Sequence, residues 1–207
     1  MNRNDIINDL IEERGYKSYL EIGLDNPFLN FIHINCELKE SVDPYDLNSK
    51  FCTLWNDSNL DAYLKFLTYR KTSDEFFETY PNKKYDIIFI DGLHLEEQCD
   101  RDVRNSLSHL NKGGIVVVHD CLPINEAMQC DPPPPEGIWM GTVWKTMVKY
   151  TQYTHLDIKI IAEDTGIGLI EYTEDLKFTI PEKLDMEYSY FAENIITLLN
   201  VYEIEHL

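Results

Sequence analysis

Basic residues, cysteines and long apolar runs are all scarce in this sequence. Its 207 residues include 18 Lys and Arg against 37 Asp and Glu, which gives a formal net charge of −19 at pH 7. Nucleic acids and anionic membrane surfaces bind clustered basic residues, so neither kind of partner is expected. The apolar runs are strand-length, too short to span a bilayer. No secretion signal is evident at the amino terminus, so the sequence predicts no contact with membranes.

The five cysteines are odd in number and show no C-x-x-C spacing. This pattern argues against a disulfide framework and against a structural zinc site, and it predicts reduced thiols in a cytoplasmic protein. A hydrophobic share of 43% and an aromatic share of 12% indicate a folded, globular chain. The length fits one domain over residues 1–207, and the oligomeric state stays open.

The stretch 85–120 has the pattern of a buried strand, a helix and a second buried strand. The first strand ends at Asp91, with His94 close behind, and the second ends at His119 and Asp120. Such a βαβ unit has parallel strands, whose carboxyl ends lie at one edge of the sheet, where open α/β folds bind ligands. We therefore expect these four side chains to converge.

The helix between these two strands is predicted to turn Val103 inward and to present Glu96 and Asp100 outward. The segment 111–114 contains two glycines and predicts a helix stop followed by a tight turn.

A first strand is predicted to end at Gly23, and Asp43 ends a second strand twenty residues further on. This is the spacing at which βαβ nucleotide sites place an acid that binds the ribose hydroxyls. The alternative, that Asp43 only stabilises a turn, stays open. Only one glycine of the dinucleotide pattern G-x-G-x-x-G is present. A nicotinamide-binding function therefore fits the sequence less well than the functions considered below. Pro27 predicts the start of a helix, since proline favours a first helical position.

After a third strand at about 67–71, Thr72 and Glu75 have the spacing of a capping box, which predicts a short helix. Ser73 and Asp74 lie where the third strand meets the ligand rim. A hydroxyl and a carboxylate at this place could contact an adenine edge, or could be structural only.

Residues 121–141 interrupt the alternation of strands and helices and include four successive prolines, which favour polyproline II. We interpret this insert either as a lid over the ligand rim or as a surface connection. Segments 155–161 and 166–172 predict an antiparallel hairpin at a sheet edge. An acidic carboxyl-terminal extension, 174–207, is expected to contain a helix near 185–200.

Five strings, spread over most of residues 18–150, carry a resemblance to a known family. They are Tyr19-Leu20-Glu21-Ile22-Gly23, Ser41-Val42-Asp43-Pro44, Thr72-Ser73-Asp74-Glu75-Phe76-Phe77, Phe89-Ile90-Asp91-Gly92-Leu93-His94 and Gly113-Gly114-Ile115-Val116-Val117-Val118-His119-Asp120-Cys121. With them the chain resembles class I S-adenosylmethionine-dependent methyltransferases, and most of all small bacterial O-methyltransferase-like proteins often linked to glycan and capsule biosynthesis.

The resemblance implies a Rossmann-like, doubly wound α/β sheet of seven strands in the order 3-2-1-4-5-7-6, with strand 7 antiparallel. It also implies the cofactor S-adenosylmethionine. The implied contacts of the cofactor are Glu21 and Gly23 with the methionine part, Asp43 with the ribose, Ser73 and Asp74 with the adenine, and Asp91 beside the sulfonium and the acceptor.

Methyl transfer to oxygen requires that the acceptor hydroxyl lose or share its proton. In related O-methyltransferases, aspartates at the ends of strands four and five bind a divalent ion for this purpose. The resemblance therefore implies that Asp91 and Asp120 hold such an ion, either Mg²⁺ or, if a histidine takes part, Mn²⁺. Alternatively His94 or His119 acts as the general base without a metal. The prediction is therefore an O-methyltransferase for a small polar acceptor, such as a sugar of a surface glycan.

Two other functions stay open at this stage. A metal-dependent hydrolase would use Asp91, His94, His119 and Asp120. A non-catalytic binding module would explain why Asn26-Pro27 stands where such methyltransferases usually carry further glycines.

Overall fold

The computed structural model describes residues 1–44, 63–131, 133, 136–172, 185–199 and 201–202. The described part of the chain contains an eight-stranded sheet, five α-helices with both ends described, and a helical stretch at 63–66. The strands are β1 (Ser18–Ile22), β2 (Leu38–Asp43), β3 (Tyr69–Arg70), β4 (Tyr85–Ile90), β5 (Leu110–Val118), β6 (Leu156–Ile161), β7 (Ile167–Tyr172) and β8 (Val201–Tyr202). The helices are α1 (Arg3–Arg14), α2 (Ser73–Thr79), α3 (Glu96–Ser108), α4 (Val143–Tyr150) and α5 (Tyr188–Leu199).

The strand order is β3-β2-β1-β4-β5-β7-β6-β8. Strands β1 to β5 run parallel, and β7 lies antiparallel to both β5 and β6. The predicted order of seven strands and the antiparallel hairpin are confirmed. Strand β8, parallel to β6 at the edge, was not predicted.

Apolar side chains cover both faces of the sheet. Ile87 of β4 packs on one face with Ile6 of α1, and its neighbour Ile88 packs on the other with Val103 of α3. A parallel strand buried on both faces needs a continuous apolar run, which explains the sequence of β4 and β5. Among the described residues, none of the helices is both long and apolar enough to cross a bilayer.

The predicted helix from Pro27 is wrong. The chain instead makes a turn and a short 3-10 segment, Phe31–His33, and Phe28 is 46% exposed. The side chain of Asn26 accepts a hydrogen bond from the backbone N–H of Phe28 at 3.0 Å, so it stabilises a local turn that competes with the helix.

The predicted helix stop and turn at 111–114 is wrong as well, because α3 ends at Ser108 and β5 already begins at Leu110. Leu110 pairs with Tyr85, and the register then shifts before the main ladder of β4 and β5. Gly113, whose φ is +79°, lies in this irregular part of β5 and not in a turn.

Two acids of α3 predicted to face solvent are buried. Glu96 is 4% exposed and Asp100 is 6% exposed, because α4 covers this face of the helix. Lys149 of α4 lies between them, with Nζ 3.6 Å from Glu96 Oε1 and 3.3 Å from Asp100 Oδ1.

Helix α5 confirms the helix predicted near 185–200. Most of the proline run and the first part of the acidic extension lie outside the described residues.

Candidate functional site

A cavity of about 690 Å³ opens at the carboxyl edge of the parallel strands. The edge collects most of the predicted site residues, as the βαβ argument requires. Those that line the cavity are Glu21, Gly23, Asp43, Ser73, Asp91, His94, His119 and Asp120. Asp74 is not among the lining residues, and its carboxylate instead accepts from Arg101 Nε at 3.1 Å.

Asp91, which follows β4, is the centre of the site. Its Oδ1 lies 3.2 Å from His94 Nε2 and 3.2 Å from His119 Nδ1, and its Oδ2 lies 3.2 Å from Arg3 Nη1. Burial alone would raise the pKa of Asp91, but the two imidazoles outweigh it and hold the pKa well below its usual value. Asp91 is therefore ionised at neutral pH.

Asp120, which follows β5, lies on the other side of His94. His94 Nδ1 is 3.3 Å from Asp120 Oδ2 and 3.0 Å from the carbonyl oxygen of Trp139. Asp91, His94 and Asp120 each offer one ligand atom, and these atoms lie within 4.8 Å of one another. Two carboxylate oxygens and one imidazole nitrogen are a donor set that suits Mn²⁺ and is compatible with Mg²⁺.

His119 is enclosed by three carboxylates. Burial disfavours its charged form, but Asp91, Asp164 and Asp120 outweigh it and raise the pKa of His119 to about 10. Arg3 Nη1 lies 2.8 Å from Nε2, a contact that could be a hydrogen bond only to a neutral ring. The three carboxylates favour the imidazolium, whereas the guanidinium of Arg3, 2.8–2.9 Å from both ring nitrogens, favours the neutral ring. The raised pKa makes His119 a poor proton acceptor at neutral pH.

Three residues of this site were missed by the sequence analysis. Arg3 enters it from the first turn of α1, and its backbone N–H donates to Asp164 Oδ2 at 2.9 Å. Thr165 Oγ1 donates to Asp120 Oδ1 at 2.6 Å. The segments lie more than 150 residues apart and share no motif, so no signal in the sequence marks them.

The backbone at three of these positions is unusual. Asp120, Asp164 and Thr165 have φ values of 60°, 45° and 65°. Non-glycine residues adopt this region uncommonly, and such strain concentrates at functional sites. Asp164 and Thr165 lie in the hairpin turn between β6 and β7, where positive φ values are ordinary, and this turn places both side chains beside His119 and Asp120.

Glu21, the last residue but one of β1, is a buried acid that is 1% exposed. Its Oε2 accepts hydrogen bonds from the Tyr19 hydroxyl at 2.5 Å and from Asn30 Nδ2 at 2.7 Å. Burial raises the pKa of Glu21 to about 8 in spite of these two donors. The carboxyl group is thus largely neutral at pH 7 and would ionise when a cationic group binds beside it.

Replacing Glu21 by glutamine is expected to stabilise the ligand-free protein in alkaline solution. A carboxyl whose pKa rises from 4.5 to about 8 on folding contributes stability that is complete below pH 4.5 and is lost as the pH rises toward 8. The variant lacks this loss, so at pH 8 its unfolding free energy should exceed that of the wild type by about 1–3 kcal/mol. Urea unfolding at pH 4 and pH 8 measures this, and an equal difference at both pH values would contradict it.

Asp43 ties the loop after β1 to the end of β2. Its Oδ2 accepts from the backbone N–H of Leu24 at 3.0 Å and of Asp25 at 3.4 Å. Gly23, with φ +85°, makes the turn between them. Asp43 therefore shapes the loop and lines the cavity at once.

Comparison with known proteins found a matching protein family and several similar structures. Residues 28–121 match a family described as "Methyltransferase domain". The SAH-bound methyltransferase PaMTH1 from Podospora anserina is 14% identical, with a TM-score of 0.58 over 83% of this chain and 78% of that one. The O-methyltransferase from Bacillus cereus in complex with SAH is 12% identical, with a TM-score of 0.57 over 83% and 80%. The chain has a Rossmann-like methyltransferase fold.

A third similar structure is the O-methyltransferase TomG from Streptomyces achromogenes, involved in tomaymycin synthesis and in complex with SAM. It is 15% identical, with a TM-score of 0.56 over 83% of this chain and 80% of that one. Among curated proteins, none matches this chain. The family match covers residues 28–121, and the similar structures show the methyltransferase fold.

Proposed function

We propose that this protein is an S-adenosylmethionine-dependent O-methyltransferase for a small polar acceptor. The order of residues along the cavity carries this proposal. From β3 to β5 the sheet edge presents, in turn, Ser73, Asp43, Gly23, Asp91 and Asp120. An elongated nucleoside joined to an amino acid fits such a row, with its adenine near Ser73 and its reactive end near Asp91.

The charges of the cavity suit this cofactor, which carries an ammonium and a sulfonium group. The acids Glu21, Asp25, Asp43 and Asp91 all line the cavity. Arg3 is the one Lys or Arg among the described residues of the lining. When bound, S-adenosylmethionine would supply the electrophilic methyl group, and the acids around it would favour its positive charges.

We infer that Asp91, His94 and Asp120 would hold a divalent ion, which would supply the charge that lowers the pKa of an acceptor hydroxyl. The carboxylates around them raise the pKa of both His94 and His119, although burial opposes this. A metal-free general base would have to be deprotonated first. These directions count against a metal-free base. With His94 on the metal, His119 is the imidazole that would carry a proton.

The acceptor would enter through an apolar rim. Leu29, Leu93 and Ile138 line the cavity mouth and are 55%, 45% and 57% exposed. Ile138 and Trp139 belong to the insert 121–141, which supports its role as a lid. An aromatic face beside polar groups suits a sugar ring, so we keep a sugar of a surface glycan as the first acceptor to test. Cytoplasmic location stays a prediction, and the oligomeric state stays open.

The cluster Asp91, His94 and Asp120 would also suit a metal-dependent hydrolase. Such an enzyme would bind the metal tightly but would have no use for the nucleoside end of the cavity. Cofactor binding therefore separates the two functions, and a non-catalytic module would bind the cofactor without transferring its methyl group.

Calorimetry with S-adenosylhomocysteine, the product form of the cofactor, tests the proposal. The wild type is expected to bind it, and Asp43→Ala should bind at least about tenfold more weakly, because a hydrogen bond to a charged group contributes about 1.5–3 kcal/mol. Asp9→Asn, on the exposed face of α1, removes a charge elsewhere and should leave the affinity unchanged. No binding by the wild type, with or without Mn²⁺, would refute the proposed function.

A further inference from the structure

The end of the insert 121–141 is fastened to the backbone of His94. The N–H of Thr142 donates to the carbonyl oxygen of His94 at 2.8 Å, and the N–H of Glu96 donates to Thr142 Oγ1 at 2.7 Å. A Cβ atom at Gly141 would lie 1.8 Å from the same carbonyl oxygen, so glycine permits this close approach. His94 is therefore held by two segments of the chain, the loop after β4 and the end of the insert.

Trp139, in the insert, lies beside the imidazole of His94. The centroids of the two rings are 5.3 Å apart, and the angle between the ring planes is 32°. The indole Nε1–H donates to the carbonyl oxygen of Cys130 at 2.8 Å, and the backbone N–H of Met140 donates to the carbonyl oxygen of Met128 at 2.8 Å. These bonds fix the peptide of Trp139, whose carbonyl oxygen lies 3.0 Å from His94 Nδ1.

Two oxygen atoms lie beside Nδ1 of His94. They are the Trp139 carbonyl oxygen at 3.0 Å and Asp120 Oδ2 at 3.3 Å. Without a proton, Nδ1 would direct its lone pair at both oxygens, so Nδ1 carries the proton. In a neutral ring the lone pair is then on Nε2, which lies 3.2 Å from Asp91 Oδ1. Nε2 is therefore the nitrogen that can bind a metal ion together with Asp91.

The Trp139 carbonyl is the acceptor that stays available to Nδ1–H when a metal binds. Asp120 is itself a proposed ligand, and its carboxylate would turn to the ion. Trp139 O is the nearer of the two acceptors and is not a proposed ligand. Metal-binding histidines commonly donate their other ring N–H to a carbonyl or carboxylate oxygen, which fixes the tautomer and the orientation of the ring.

We propose that Trp139 is a positioning residue for the metal ligand His94. Its carbonyl oxygen accepts the Nδ1 proton and its indole packs beside the imidazole, which leaves Nε2 to bind the ion. This rests on the metal-assisted form of the proposed function. The insert then contributes to the metal site as well as to the rim of the cavity.

Metal titration of two Trp139 variants is the first test. Trp139→Ala removes the indole and the hydrogen bond that fix the carbonyl, so Mn²⁺ should bind at least about tenfold more weakly, as when other groups that support a metal ligand are lost. Trp139→Phe keeps a ring beside the imidazole and loses one neutral hydrogen bond, so its affinity should stay within about threefold of the wild type. Tyr190→Ala is the matched control, because it truncates an exposed aromatic side chain of α5 that does not line the cavity. It should bind Mn²⁺ as the wild type does.

The second test locates the proton on His94 in the metal-free protein. Nitrogen-15 NMR in alkaline solution, where the imidazole is neutral, distinguishes a protonated from an unprotonated ring nitrogen, and the signals lost in His94→Gln assign the ring. The wild type should carry the proton on Nδ1. In Trp139→Ala the share of rings with the proton on Nε2 should rise, because Nε2–H can then donate to Asp91 Oδ1. Tyr190→Ala should leave the tautomer unchanged.

The outcomes separate the role of Trp139 from the proposed function. A wild type that binds no Mn²⁺ overturns the metal-assisted route and the role of Trp139 in it, whereas binding of S-adenosylhomocysteine tests the methyltransferase function separately. If the wild type binds Mn²⁺, an unchanged affinity in Trp139→Ala, or a proton on Nε2 in the wild type, overturns the role of Trp139 alone. Weaker binding with an unchanged tautomer would indicate a structural role only and overturns it as well. If Trp139→Ala does not fold, Trp139→Leu replaces it, and wild-type affinity in that variant would contradict the proposal.

Discussion

Asp91→Asn is expected to lower the affinity of the protein for Mn²⁺ by at least about 100-fold. Loss of a residue that only supports a metal ligand typically costs 10- to 100-fold in affinity, and Asp91 is proposed as a ligand itself. Its Oδ1 lies 3.2 Å from both imidazoles of the site, and Asp120, at 3.3 and 3.4 Å from them, would remain as the one carboxylate ligand of the cluster. Titration with Mn²⁺, followed by electron paramagnetic resonance, measures the affinity directly.

The matched control for this variant is Asp157→Asn in β6, whose side chain is 49% exposed. It removes the same charge far from the site and should bind Mn²⁺ as the wild type does. Unchanged affinity in Asp91→Asn would refute the metal cluster, whereas cofactor binding could still stand.

The same substitution has a second expected effect, on the two histidines. Asp91 raises the pKa of His94 and of His119, so its loss should lower both. Folding lowers the pKa of Asp91 below 3.8, its pKa in the unfolded chain. The ionised Asp91 therefore stabilises the folded protein above pH 3.8, and this stabilisation is lost as the pH falls through the lower pKa of the folded state. The variant should thus be less stable than the wild type at pH 7, with a gap that closes only in strong acid. Histidine resonances in an NMR pH titration report the shifts.

Gly23→Ala is expected to destabilise the protein strongly and to abolish binding of S-adenosylhomocysteine. A Cβ atom at this position would lie 2.1 Å from the carbonyl oxygen of Asp91 and 2.6 Å from the Cα atom of Gly92. Both are backbone atoms, so the ends of β1 and β4 would have to separate, and the site lies between them. The φ of +85° adds strain for any residue with a side chain.

Gly113→Ala separates the two causes. Gly113 has a similar φ of +79°, but nothing lies within 4 Å of its Cβ position. The substitution Gly113→Ala should lower the free energy of unfolding only by the cost of a left-handed backbone conformation, about 1–2 kcal/mol. Gly23→Ala should cost at least about 3 kcal/mol more, as severe overpacking does. Chemical denaturation of both variants gives the difference, and equal losses would show that the close approach of Gly23 to Asp91 is unimportant.

How far the sequence predicts this molecule differs from one feature to another. Two apolar runs around a helix are enough to predict parallel strands, and parallel strands bring their carboxyl ends together. The convergence of Asp91, His94, His119 and Asp120 follows from that geometry alone. The order of the whole sheet came instead from the resemblance of five strings to a known family.

Local competition explains where the sequence predictions are wrong. The turn at Asn26 wins over a helix because one side chain satisfies a backbone N–H within two residues. Gly113 lies inside β5 because pairing with β4 resumes after a shift in register. Neither outcome is visible from hydrophobic periodicity, which reports faces rather than hydrogen bonds.

The positions of Arg3, Asp164 and Asp102 were decided by the tertiary structure. Arg3 and Asp164 meet because α1 and the β6–β7 hairpin pack at the same sheet edge, a long-range contact that leaves no local pattern. Asp102 of α3 lines the cavity whereas Asp74 of α2 pairs with Arg101, and this depends on how the two helices pack against the sheet. The sequence determined which edge carries the chemistry, because strand direction follows from the chain itself. Which side chains complete the site depended on how separate elements pack, and that information lies in contacts between residues far apart.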